Sequence, residues 1–111
     1  PYAVICSSLN LESVGTFIKN HTSCIIAAGG THGCAEDTGI GLCLACAVNG
    51  IAVPNAAITA CVTESAAARN LREKGFGEDV DFIARVNVYD VVPYYDGTVI
   101  RHAAQRERAS G

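Results

Sequence analysis

Short apolar runs alternate along the chain with longer stretches in which apolar residues recur every three or four positions, the pattern of strands interleaved with helices. Residues 3–7 place Val4, Ile5 and Cys6 side by side, as in a parallel-sheet strand covered on both faces. Asn10 is then positioned to cap a helix over 11–20, in which Leu11, Val14, Phe17 and Ile18 form one apolar face and Glu12 sits favourably in the first turn. Residues 23–28 form a second apolar run, so the order is strand, helix, strand. A glycine-rich loop follows, and Glu36 and Asp37 open an apolar helix that stops near Asn49 and Gly50. Residues 51–53 read as a short strand or a connection. Pro54 suits the start of an alanine-rich helix running to Lys74 and ended by Gly75. Residues 78–85 read as a further helix, with Val80, Phe82 and Ile83 inward. Residues 86–92 and 98–100 read as extended, joined through Pro93, Tyr94, Tyr95 and an Asp96-Gly97 turn.

This order predicts an α/β fold. Right-handed crossovers keep the first two strands parallel and open both strand-to-helix turns at one edge of the sheet, which is where a ligand belongs. The 111 residues suffice for one domain, placed at 1–102, with a flexible polar tail over 103–111. Half the residues are apolar but only 6% aromatic, so the core is expected to consist of small side chains closely packed. A net charge of −3 lacks the basic face that nucleic acid or an anionic membrane requires, and both partners are excluded on that ground. No apolar run reaches the ~18 residues needed to span a bilayer and no basic segment precedes a signal-like stretch, so a cytoplasmic location is expected. Six cysteines stand mostly among aliphatic neighbours and read as small buried hydrophobes in a reducing compartment. Cys43 and Cys46 form a CxxC, but no second CxxC or paired histidine completes a zinc site.

Candidate chemistry concentrates in residues 27–39. Gly29, Gly30 and Gly33 let backbone amides crowd toward a bound group, and the helix beginning after them favours an anion. Glu36 and Asp37 at the same place would repel a phosphate. A divalent cation reconciles the two signals, because Mg²⁺ is commonly held by one or two carboxylates together with waters and phosphate oxygens. The plainer alternative is that both acids complement a helix N-terminus. Ser7, Ser8 and Asn10 form a polar turn at the same edge, able to bind the acid group of a substrate, although capping alone accounts for Asn10. His32 can act as acid, base or ligand, or stand solvated. Arg69 and Arg72 share a helix face and could clamp an anion. Cys34, at the helix start, is a weaker candidate nucleophile.

Val4-Ile5-Cys6-Ser7-Ser8-Leu9-Asn10, Ala28-Gly29 followed by Glu36-Asp37, Ser65 through Arg69-Asn70-Leu71, Gly75-Phe76, Glu78-Asp79-Val80-Asp81-Phe82 and Val91-Val92-Pro93 together resemble the carboxyl-terminal half of the 2-phosphosulfolactate phosphatases. The resemblance covers about residues 3–101, and its specificity lies in the order of the motifs rather than in any one. It implies a three-layer α/β/α fold with a partly parallel mixed sheet, forming half of a larger two-part fold, and Mg²⁺-dependent removal of phosphate from 2-phospho-3-sulfolactate, a step toward coenzyme M, or from a similar phosphorylated 2-hydroxy acid. By position, Glu36 and Asp37 match the family's acidic pair, Asn10 its strand-end asparagine and Arg69 its helical basic residue. The family has an additional amino-terminal half, so a homo-oligomer or a partner chain supplying that half is expected. The loop His32-Gly33-Cys34 and the short stretch between Gly50 and Ser65 depart from the family pattern.

On this reading Glu36, Asp37 and His32 are catalytic, with Glu36 and Asp37 also holding Mg²⁺. Ser7, Ser8, Asn10, Gly29, Gly30, Gly33 and Arg69 bind substrate. The alternative from another class is a non-catalytic assembly or regulatory subunit of a hetero-oligomeric enzyme. A third expectation makes Pro1 a catalytic base, since an N-terminal proline amine titrates below lysine.

Overall fold

Leu11, Val14 and Ile18 are buried along one side of an eight-residue helix, as their spacing predicts. This helix, α1 (Leu11–Ile18), is entered through a single 3-10 turn, Ser8–Asn10. The computed structural model describes residues 2–28 and 35–103. Among these residues four further helices follow: α2 (Ala35–Val48), α3 (Asn55–Thr63), α4 (Ala66–Glu73) and α5 (Gly77–Ile83). Three short strands, β1 (Ala3–Val4), β2 (Pro93–Tyr95) and β3 (Ile100–His102), form an antiparallel sheet in the order β1-β2-β3. Ala3 pairs with Tyr95, and Tyr94 with Arg101.

Helix directions follow from where small residues meet. A Cβ on Gly15 of α1 would lie 3.7 Å from both Ala47 and Leu44 of α2, and Leu11 shares a buried cluster with Cys43, so α1 and α2 run side by side in the same direction. A Cβ on Gly39 would lie 2.9 Å from Cys61 Sγ, and Cys43 clusters with Ile58, so α3 returns antiparallel to α2. The reversal uses Gly50 in the left-handed region at φ 74°, where a side chain is disfavoured, and Pro54, which has no N–H to leave unpaired at the helix start. One core cluster holds Val14, Ile18, Leu44, Val92, Tyr94 and Ala103. The other holds Leu11, Cys43 and Ile58, and Cys6 packs against both. Each fully buried aliphatic side chain contributes roughly 1.5–3 kcal/mol.

The three-layer α/β/α fold with a partly parallel sheet is not what forms: the described residues make a mostly helical domain with a small antiparallel sheet. The expected second strand, 23–28, is outside the sheet and exposed throughout. Its apolar run is matched by no ladder, and β1, cut to two residues, takes β2 as its partner instead. A short apolar run does not distinguish a covered strand from an extended connection, which is why the reading failed. Residues 51–53 and 86–92 likewise form no strand; Pro93–Tyr95, taken as a connection, is itself the central strand. The single helix expected from Pro54 to Lys74 is two helices, because the Ser65 hydroxyl accepts from Ala68 N–H (3.1 Å) and donates to Val62 C=O (2.7 Å), starting α4 afresh. Ala103, assigned to the tail, is buried and donates its N–H to Val92 C=O at 3.0 Å. Residues 104–111 lie outside the described residues.

Candidate functional site

Glu36 and Asp37 stand in the first turn of α2, where acids are favoured by the unpaired N–H groups of a helix start. Both side chains are half-buried. The ion pairs among the described residues join Arg72 to Asp81 and Arg101 to Asp96, so neither Glu36 nor Asp37 has a described cation against it. Gly29, Gly30, His32, Gly33 and Cys34, which precede them, lie outside the described residues, as does Pro1. No group of three or more His, Cys, Asp or Glu side chains able to hold a metal occurs among the described residues.

The polar turn before α1 is occupied internally. Asn10 Oδ1 accepts the Ser7 N–H at 2.8 Å, and Asn10 Nδ2 donates to Ile5 C=O and to Val91 C=O, both at 3.0 Å. With 8% exposure, Asn10 ties the end of β1, the 3-10 turn and the approach to β2 into one junction. Its side chain completes a capping box on the 3-10 turn but caps no N–H of α1; Asn87 does that from across the fold, accepting from Glu12 N–H at 2.8 Å. Ser8, 1% exposed, donates its hydroxyl to Ile83 C=O at 2.6 Å. Ser7 Oγ accepts from Leu9 N–H at 3.1 Å and remains exposed. Of the three, only Ser7 is open to a ligand; Ser8 and Asn10 have their polar atoms engaged in scaffold contacts.

The antiparallel pairing of α2 and α3 determines which end carries which chemistry. Because Gly39 faces Cys61, the end of α3 lies beside the beginning of α2. Glu64 and Ser65 follow there, and Arg69 of α4 reaches back to Glu64 C=O at 3.5 Å. The exposed Arg69 is thus at the same end of the helix pair as Glu36 and Asp37. Arg72 turns away to Asp81 at 2.7 Å.

An open cleft of about 350 Å³ lies at the opposite end, where α1 meets the α2–α3 connection. Leu11, Cys43 and Ile58 line it, with Glu12, Lys19 and Asn55 among its polar groups, and neither acid of the α2 start belongs to it. No motif or periodicity in the sequence points to this cleft or to the capping role of Asn87.

Comparison with family models, with curated proteins and with solved structures finds no match for this chain. No described helix is long and apolar enough to cross a membrane.

Proposed function

We propose that this chain is a subunit, or part of one, of a Mg²⁺-dependent phosphatase acting on a phosphorylated 2-hydroxy acid such as 2-phospho-3-sulfolactate. The supporting observation is the pair Glu36 and Asp37 at the start of α2, half-buried and without a described cationic partner, at the helix-pair end that also carries Arg69. The ordered motifs that resemble the 2-phosphosulfolactate phosphatases support the same reading. Two carboxylates suit Mg²⁺, which takes its remaining ligands from water and phosphate rather than from a full protein cage. Glu36 and Asp37 would hold the ion, and when bound it supplies charge neutralisation at a phosphoryl oxygen. Arg69 would offset the charge of the substrate, and the exposed Ser7 hydroxyl could contact its acid group. Ser8 and Asn10 keep the turn that carries Ser7 in place.

The decisive experiment measures Mg²⁺-dependent phosphate release from 2-phospho-3-sulfolactate, by the native chain and by a Glu36→Gln/Asp37→Asn double variant. Turnover by the first and none by the second, with unchanged circular dichroism, is the expected result. Metal-dependent turnover retained by the double variant removes the acid pair from the mechanism.

The second reading, a non-catalytic assembly subunit, is favoured by a different observation. Beyond its first turn α2 is apolar on all sides yet buries only Cys43 and Leu44, and Leu42 on its outer side is 65% exposed. Ile25 lies against this helix and the neighbouring Ile26 is 83% exposed. Such a surface suits coverage by another polypeptide. A chain with no hydrolytic activity that forms a stable complex through this face would support the second reading over the first.

A further inference from the structure

Where α2 packs against α3, each helix brings a thiol to the same buried cluster. Gly39 and Cys43 stand one turn apart on the same face of α2; Cys61 of α3 lies against the first and packs on the core cluster that holds the second. A Cβ on Gly39 would lie 2.9 Å from Cys61 Sγ and 3.1 Å from Cys61 Cβ, so the absence of a side chain at 39 allows the helices their close approach. One turn on, Cys43 lies in the buried cluster with Leu11 and Ile58 against which Cys61 packs, and Cys61 together with burial raises the Cys43 thiol pKa. Two thiols packed into one cluster, on adjacent antiparallel helices, are placed for a bond that needs only a modest adjustment of the helix pair.

The other described thiols are placed differently. Cys46 follows Cys43 by three residues on the same helix, so a bond between them would have to form within the regular helical backbone of α2. Cys6 packs against the same cluster, but its Sγ donates to Ser7 C=O at 3.6 Å, and burial pushes its thiol up to about 11. It stays protonated and unreactive near neutral pH. Cys24 is exposed in the stretch after α1, outside both core clusters.

We propose that Cys43 and Cys61 form a redox-active pair, closing into a disulfide that joins α2 to α3 when the protein meets a small-molecule disulfide. Cys61 is the less buried of the two and reacts first. Its thiolate attacks one sulfur of the reagent, breaking the reagent S–S bond, forming a mixed disulfide and expelling one small thiolate, which takes up a proton. Cys43 then gives up its proton to solvent and attacks Cys61 Sγ, forming the protein S–S bond and expelling the second small thiolate, which is protonated in turn. Two protein thiols are oxidised and one reagent disulfide is reduced to two thiols. Because both thiols belong to one chain and one packed cluster, the second step is intramolecular, which offsets the poor ionisation of the buried Cys43 thiol.

The test uses the full chain in a Cys24→Ser/Cys34→Ser background, incubated with oxidised glutathione, capped with iodoacetamide and digested without reduction. The expected products are a peptide pair linking Cys43 to Cys61, loss of two alkylatable thiols, and a rise in Tm of roughly 10 °C reversed by reductant, because the link shortens the free loop of the unfolded chain. A Cys43→Ala variant should stop at the glutathione adduct of Cys61. A Cys43–Cys46 link, an adduct on the parent that never advances, or thiols that all remain alkylatable would each overturn the pairing.

Discussion

Asn87 Oδ1 accepts the backbone N–H of Glu12 at 2.8 Å, capping α1 from 75 positions along the chain. The same residue holds φ at 54° and donates its own N–H to Ser8 C=O at 2.9 Å. Asparagine suits both tasks, since its short amide reaches the helix and it tolerates the left-handed region. Asn87→Ala should cost about 2 kcal/mol in urea denaturation, about half from the cap and half from the backbone conformation. Asn87→Gly, which keeps the conformation and loses only the cap, should cost about 1 kcal/mol. Equal costs for the two variants would mean that the backbone conformation contributes nothing.

Asn10 concentrates three hydrogen bonds at one buried point. Removing the amide leaves a donor and two carbonyls to be satisfied elsewhere, so Asn10→Ala should destabilise the fold by roughly 3 kcal/mol. Asn10→Asp should cost at least as much at neutral pH, because its carboxylate faces the Ile5 and Val91 carbonyl oxygens. Chemical denaturation of both variants checks this; an Asn10→Ala loss near zero would leave the junction without energetic weight.

Contact between Gly39 and Cys61 makes a testable pair. Gly39→Ala places a methyl group against sulfur at 2.9 Å and should cost about 1–3 kcal/mol despite the better helix propensity of alanine. Removing the sulfur with Cys61→Ala should relieve part of that cost, so the double variant should be more stable than the sum of the single effects implies. Additive losses would place the clash elsewhere.

Asp96 carries the pH dependence of the β2–β3 turn. The backbone N–H groups of Val99 and Thr98 donate to its carboxylate at 3.0 and 2.9 Å, and with Arg101 they hold its pKa below the ordinary 3.8. The folded state therefore releases this proton more readily than the unfolded chain. The resulting stabilisation is present above the ordinary carboxylate pKa and disappears as pH falls through the lower folded value. An NMR titration should place the Asp96 midpoint below 3.8, and Asp96→Asn should abolish the acid-induced loss of protection in the turn. A midpoint at or above 3.8 removes the effect.

The parts of the fold legible from sequence were those fixed by local periodicity and turn chemistry. Leu11, Val14 and Ile18 marked the inner side of α1, and Asp96-Gly97 marked the turn between β2 and β3. The sheet was illegible because strand pairing is a long-range choice. Nothing near Val4 indicates that its partner is Tyr94 rather than the apolar run at 23–28. Ser65 interrupted a helix that composition alone would continue, since its hydroxyl contacts depend on the bend they help to make. At the candidate site, Glu36 and Asp37 were readable from their place at a helix start. Ser8 and Asn10 were misleading because a polar turn beside a glycine loop does not show whether its side chains point outward or into the structure.

The antiparallel register of Ala3 with Tyr95 also governs when the fold can be completed. During synthesis, β1 emerges from the ribosome long before the strand it pairs with, and Val14 and Ile18 must wait for Val92 and Tyr94 to cover them. Ring closure on that scale is entropically slow, so the helices have time to organise before the sheet zips shut. A nascent chain halted short of residue 93 would present the uncovered side of α1 to chaperones and proteases.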